Sequence, residues 1–88
     1  MAEIQNTGTV TVIQARRQDV LFGMTPQIND PTGTNLIRLE YNHPGYSTIY
    51  TMLVQSAANG RKILVDAIDT TENGEDHLTV EWVNYNYT

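Results

Sequence analysis

The chain has 88 residues, a net charge of −5 and no cysteine, which predicts a single small domain, residues 1–88, without disulfides. Only five Lys and Arg residues are present, which argues against a nucleic-acid or anionic-membrane partner, since both attract a basic surface. Two histidines without a ligand-spaced partner predict no metal and no cofactor, so oligomerisation is the expected source of extra stability.

Three strands are predicted before the single helix. They cover Thr9–Arg16, Asp19–Thr25 and Asn35–Tyr41. In the first strand Val10 and Val12 should share a face, and Ile13 breaks this alternation, which indicates either a β-bulge or an interface contact. A charged turn separates the first two strands, and a loop with two prolines precedes the third.

The helix is predicted between Pro44, which suits a first helical turn, and Gly60, which suits the left-handed position after a helix end. Apolar side chains at helical spacing predict a core-facing stripe of Tyr46, Ile49, Tyr50, Leu53, Val54 and Ala57. The opposite face carries small or uncharged residues, namely Ser47, Thr48, Thr51, Met52, Gln55, Ser56 and Asn59. A surface helix without charges needs a cover, and copies of the same helix are the expected one.

Two further strands are predicted at Arg61–Ile68 and His77–Tyr85. Between them, Asn73-Gly74 is a strong signal for a two-residue hairpin turn. The same segment partly imitates a calcium loop, but Val80 occupies the position where that loop needs a glutamate, which favours the hairpin. Trp82 is in phase with the apolar residues before it and is expected in the core.

The element order is strand, strand, strand, helix, strand, strand. In so short a chain this order predicts a mainly β fold with one helix, the five-stranded Greek-key barrel of the OB-fold. The alternative is an open antiparallel α+β sheet with the helix packed on one face.

Candidate chemistry is sparse, and no motif ties a nucleophile to a base, so we expect no enzymatic activity. Tyr85 and Tyr87 share a strand face beside asparagines, a pattern that suits stacking on sugars, but core and subunit packing of a terminal strand is the favoured explanation. Arg16, Arg17 and Asp19 crowd the first turn. They form either a charged hairpin tip or the polar part of a ligand site.

The segment "NHPGYSTIYTMLVQSAANGRKILVDA", Asn42 to Ala67, resembles a group of small bacterial OB-fold proteins. In that group a Pro-Gly-Tyr helix start leads to an apolar helix that ends in small residues and Gly, followed by a strand. These proteins are similar in fold to the B subunits of AB-type toxins of the cholera, heat-labile and subtilase kinds. Many members carry a disulfide, which this chain cannot form, because it has no cysteine.

The resemblance implies a homo-oligomeric ring, expected to be a pentamer, whose helices surround a pore and which binds cell-surface glycans, with an A-type subunit as a possible partner. Thr48, Thr51, Met52, Gln55 and Asn59 would then lie at the subunit interface. A purely structural oligomerisation module is the alternative, and a single-strand nucleic-acid binder is disfavoured by the acidic balance.

The start of the chain, "MAEIQNTGT", lacks the apolar segment of a signal peptide. We therefore expect either a mature secreted or periplasmic form, or a protein that stays inside the cell. No segment is apolar and long enough to span a bilayer, so membrane insertion is not expected.

Overall fold

The computed structural model describes residues 3–27, 36–72 and 75–85. In these residues the chain forms five strands and one helix, as the sequence predicted. They are β1 (Glu3–Ala15), β2 (Asp19–Thr25), β3 (Ile37–Glu40), α1 (Tyr46–Asn59), β4 (Ile63–Glu72) and β5 (Glu75–Tyr85). The fold is therefore mainly β, with its helix between β3 and β4.

Each strand pairs with two others. β1 lies antiparallel between β2 and β4, β2 also pairs with β3, and β4 also pairs with β5. The ring is completed by a parallel pairing of β3 with β5, so the sheet closes on itself in the order β1-β2-β3-β5-β4. The alternative of an open antiparallel sheet does not fit this pairing.

β1 is longer than predicted. It begins at Glu3 rather than Thr9, because its first residues pair with β4 although they lack a strong strand pattern. The predicted bulge is confirmed, and the register shifts between Val10 and Val12. The bulge separates the two valines, since Val10 is buried and Val12 is 50% exposed. The expectation that they share a face was therefore wrong.

β4 and β5 form a hairpin in which Glu72 lies opposite Glu75. The predicted turn residues, Asn73-Gly74, lie outside the described residues. A second irregularity falls deeper in this hairpin, where Ala67 pairs with Val80 and the preceding residue of β4 pairs with Trp82. One residue of β5 is thus unmatched in the ladder, and the strand changes which side chains it points inward.

The core lies inside the closed sheet and under the helix. Its buried apolar residues are Val10, Val20, Phe22, Met24, Ile37, Leu39, Ile49, Leu53, Ile63, Val65, Ala67, Leu78, Val80 and Val83. The helix ends as predicted at Gly60, whose φ of 67° is left-handed and whose N–H donates to the Ser56 carbonyl at 2.9 Å. An L-residue with a side chain rarely adopts that backbone conformation.

Candidate functional site

The outward side of α1 carries no charge. The chain's ten acidic and five basic residues all lie outside this 14-residue helix. The exposed helical residues are Ser47, Thr48, Thr51, Val54, Gln55, Ala57, Ala58 and Asn59, and we call them the outer helix face. All are short or uncharged, so this face can approach another surface closely without burying an ionised group.

The predicted interface residues fall into two sets. Thr48, Thr51, Gln55 and Asn59 are exposed on the outer helix face. The Thr51 hydroxyl donates to the carbonyl of Ser47 at 3.0 Å, which satisfies it within the helix. Met52 is different, because it is partly buried and packs against the core. Its assignment to the outward face was wrong.

Ser56 was also expected on the outward face, and it is fully buried instead. Its hydroxyl accepts from the Val10 N–H at 2.9 Å and donates to the Arg61 carbonyl at 2.6 Å. Conversely, Val54 is 39% exposed and Ala57 is exposed, although both belong to the predicted core stripe. The helix is therefore rotated so that a polar residue, hydrogen-bonded to β1, replaces two apolar ones at the buried side.

The polar residues of the first turn form a network. Arg16 donates to both carboxylate oxygens of Asp19, from Nε at 2.6 Å and from Nη2 at 2.8 Å. Asp19 is 1% exposed, and Nε of the buried Arg38 lies 3.9 Å from its Oδ2. Tyr41 donates from its hydroxyl to the Arg16 carbonyl. These contacts fasten the turn to β3, while Arg17 is left exposed beside them.

Three tyrosines connect that turn to the start of the helix. The Tyr41 and Tyr46 rings meet edge to face at 5.3 Å between centroids, and the Tyr46 and Tyr50 rings stack at 5.9 Å. Burial raises the pKa of Tyr46 above its usual value of 10.0, and the two neighbouring tyrosines raise it further. Aromatic rings thus surround the helix start.

The predicted sugar-stacking tyrosine lies at the other end of the helix. Tyr85 donates from its hydroxyl to Gln55, and the guanidinium carbon of Arg61 lies 3.9 Å from the centroid of its ring. Tyr87 is outside the described residues. From Tyr46 to Gln55 the helix rises about 14 Å, so the contacts at the first turn and those of Tyr85 do not form one cluster.

Trp82 is the aromatic residue that sequence reasoning misplaced. It was expected in the core, and it is 60% exposed, because the shift in the β4–β5 register places it opposite Asp66 on the outside of the sheet. Its indole Nε1–H donates to Asp66 Oδ2 at 2.7 Å. A signal was present in the sequence: Val83 is out of phase with Val80, which indicates a break in the alternation between them.

Acidic and amide groups lie around Asp66, the carboxylate that accepts the hydrogen bond from this indole. The Gln5 side chain approaches Asp66 Oδ2 at 3.5 Å. The pKa of Glu3 is raised above its usual value of 4.5, mainly by the charge of Asp66 and a hydrogen bond with it, and to a lesser degree by desolvation and Glu81. We call Trp82, Asp66, Glu3 and Gln5 the Trp82 surface.

His43 attaches the start of the helix to this region. Its Nδ1 accepts from the Gly45 N–H at 2.9 Å, so its ring proton resides on Nε2, which donates to the Glu81 carbonyl at 2.6 Å. Both ring nitrogens are therefore used to position backbone. Within the described residues, no three acidic or histidine side chains lie close enough together to hold a metal ion.

The surface of the described part of the chain contains no enclosed cleft. Its single helix has 14 residues, and no helical segment among the described residues has the length and apolarity needed to cross a membrane. No protein-family model matches the chain, and no curated protein matches it.

Proposed function

We propose that the protein is a non-enzymatic OB-fold subunit that assembles into a symmetric ring, expected to be a pentamer, and binds cell-surface glycans in a toxin-B-like manner. The element order supports the OB-fold assignment, because the helix lies between β3 and β4 and the sheet closes through a parallel pairing of β3 with β5. A Greek-key barrel of five strands with this connectivity is the OB arrangement.

The observation that carries the assembly proposal is the outer helix face. None of its eight exposed residues is charged. The whole chain has ten acidic and five basic residues among 88. An isolated domain gains nothing from excluding charges from a wet helix surface. A ring gains much, because an ionised residue on this face would meet its own copies around the symmetry axis.

The test is Thr51→Glu, because Thr51 lies at mid-helix on this face. If the copies of this residue lie about 6–8 Å apart at an effective dielectric near 20, each new pair repels by roughly 2–3 kcal/mol. The ring should therefore dissociate or loosen, and more so at low salt. In a monomer the same change is a surface substitution that costs within about 0.5 kcal/mol.

Light-scattering mass of the parent and of Thr51→Glu should be measured at low salt, with Thr11→Glu as the matched control, since Thr11 is an exposed threonine of β1. We expect the parent and the control to share one oligomeric mass and Thr51→Glu to fall below it. A monomeric parent, or an oligomer unchanged by Thr51→Glu, would refute assembly through the helix.

Glycan binding is tested separately, by applying the parent protein to an array of neutral and acidic glycans. Bound glycans would support the complete proposal. The second candidate function is a structural oligomerisation module. It is favoured by the observation that the described residues form no enclosed cleft for a ligand. An intact ring that binds no glycan would select that alternative.

A further inference from the structure

We propose that the Trp82 surface binds a neutral pyranose sugar and discriminates against acidic sugars. The inference rests on the proposed glycan-binding function, and it places the site on the outside of β1, β4 and β5. None of the candidate sugar-binding residues named from the sequence belongs to this surface.

The exposed indole is the first argument. Trp82 leaves 60% of its surface in water, although tryptophan is usually well buried. The residue is nevertheless fixed, because its N–H donates to Asp66 Oδ2 at 2.7 Å. The face of an aromatic ring carries negative charge density, and the C–H groups of a pyranose are weakly positive. A held and exposed indole is therefore a platform on which a sugar ring can stack.

Asp66 supplies the second argument. It is 6% exposed, and its Oδ1 is buried without a hydrogen-bond partner among the described residues. A buried carboxylate oxygen without a donor is costly. A sugar hydroxyl that replaces the long contact from Gln5, whose amide nitrogen lies 3.5 Å from Oδ2, would supply a donor to this carboxylate. The surface thus combines a stacking platform with an acceptor for hydroxyl groups.

The local charge determines which sugar is accepted. The charges of Asp66 and Glu81 both act on the Glu3 carboxyl, and the neighbouring Gln5 is neutral. At the dielectric of water, repulsion between a ligand carboxylate and one of these groups about 7 Å away lowers the affinity roughly threefold. We assume that two of these groups lie at that distance from the ligand. We therefore expect an acidic sugar to bind about tenfold more weakly than its neutral counterpart, with the difference falling as salt rises.

A cationic ligand is the competing occupant, because acidic groups beside an indole also attract cations. Such ligands are usually held by several rings in a cage. Here the other described aromatic residues contact elsewhere: three tyrosines surround the helix start, Tyr85 contacts Arg61, and Phe22 is in the core. A single ring with hydroxyl acceptors favours a sugar.

A shallow site of this kind binds each sugar weakly. Several copies on one ring raise the overall affinity by increasing the effective concentration of the second and later sites. The Trp82 surface lies on the strands and the outer helix face on α1. Assembly through the helix therefore uses a different surface from the one that binds the sugar.

Trp82 is the only tryptophan in the chain, so its fluorescence reports directly on this surface. The parent protein should be titrated with the methyl glycosides of glucose and galactose and with those of the matched glucuronic and galacturonic acids. We expect at least one neutral glycoside to shift the emission and its acidic counterpart to require about ten times the concentration. Glu3→Gln should narrow that difference by roughly threefold.

Calorimetry and glycan-array binding of two variants complete the test. Trp82→Ala should lose binding, and Trp82→Phe, which retains a ring, should keep part of it. Val12→Ala is the control, because Val12 is another exposed apolar strand residue, 50% exposed, and it should bind like the parent. A circular dichroism spectrum and a mass equal to the parent's show that the variants are folded and assembled.

The contrary outcomes are distinct. Glycan binding that survives Trp82→Ala but is lost in Tyr41→Ala would overturn this site while leaving the proposed function intact. The absence of any glycan binding by the parent would overturn both. An emission shift with tetramethylammonium but with none of the sugars would identify a cation site instead. Equal binding of neutral and acidic glycosides at low salt would overturn the selectivity.

Discussion

Ser56 joins the helix to the sheet, and Ser56→Ala measures how much that junction contributes. The side chain is fully buried, and its hydroxyl accepts from the Val10 N–H at 2.9 Å. β1 stops pairing with β4 at Gly8, and its register with β2 shifts just after Val10. The serine hydroxyl thus satisfies a backbone donor at a place where the strand ladder is irregular.

The magnitude follows from the two lost hydrogen bonds. Val10 is 3% exposed, so water does not replace the serine oxygen, and an unsatisfied buried donor costs about 1–3 kcal/mol. The carbonyl of Arg61 loses the second bond, but this residue is exposed and water can compensate. We therefore expect Ser56→Ala to lower the free energy of unfolding by about 2 kcal/mol, or Tm by about 8–16 °C in a domain of this size.

Urea unfolding followed by circular dichroism is the assay, at one protein concentration because assembly would make stability concentration-dependent. Ser47→Ala is the control, since Ser47 is exposed on the same helix, and it should change stability by less than about 0.5 kcal/mol. If the two variants unfold at the same urea concentration, the hydroxyl does not hold the helix against β1, and the orientation of the helix described above is wrong.

Three further predictions concern the sheet and its charges. Gly8→Ala should lower the stability measured by thermal unfolding by about 1–3 kcal/mol, because the added Cβ would lie 2.4 Å from a backbone oxygen. Gly45→Ala is the control and should change stability little, since its Cβ would meet no atom closer than 3.6 Å. Equal losses of stability in the two variants would contradict this prediction. Asp19→Asn should lower the free energy of unfolding, measured by urea denaturation, by about 3 kcal/mol, because it neutralises a buried carboxylate between two guanidinium groups. An unchanged urea midpoint would show that the ion pairs of Asp19 with Arg16 and Arg38 contribute nothing to stability. Glu3→Gln should raise Tm at neutral pH, because the raised pKa of Glu3 means that its ionised carboxyl destabilises the folded state. Below pH 4.5 the carboxyl of the parent is protonated in the folded and unfolded states, so the variant should lose this advantage. An advantage that is independent of pH would show that Asp66 does not act on this carboxyl.

Part of the fold could be read from local patterns. The element order was predicted correctly, because alternation, helical spacing and turn residues act over a few positions of the chain. Gly60 is the clearest case: a helix end that requires left-handed backbone selects glycine, and the structure gives it a φ of 67°. The bulge in β1 was likewise visible, since Ile13 interrupts the alternation.

The candidate site could be read less well. The turn residues Arg16 and Asp19 were identified as a polar group, but their role in joining β1–β2 to Arg38 of β3 depends on a neighbour distant in the sequence. The helix periodicity predicted an apolar stripe, yet it was wrong about Val54 and Ser56. A moderate rotation of the helix changes its buried side, and the hydrogen bond to β1 sets that rotation.

The sequence by itself determined the number, type and order of the elements and the uncharged character of the outer helix face, since these follow from residue chemistry and local backbone preferences. Only the tertiary structure decided where the single tryptophan lies. Whether Trp82 points inward or outward depends on the register of β5 against β4, and one unmatched residue before it reverses the side on which it lies. The phase of Val83 against Val80 indicates that the alternation in β5 breaks, but the pairing with β4 decides on which side of that break Trp82 lies.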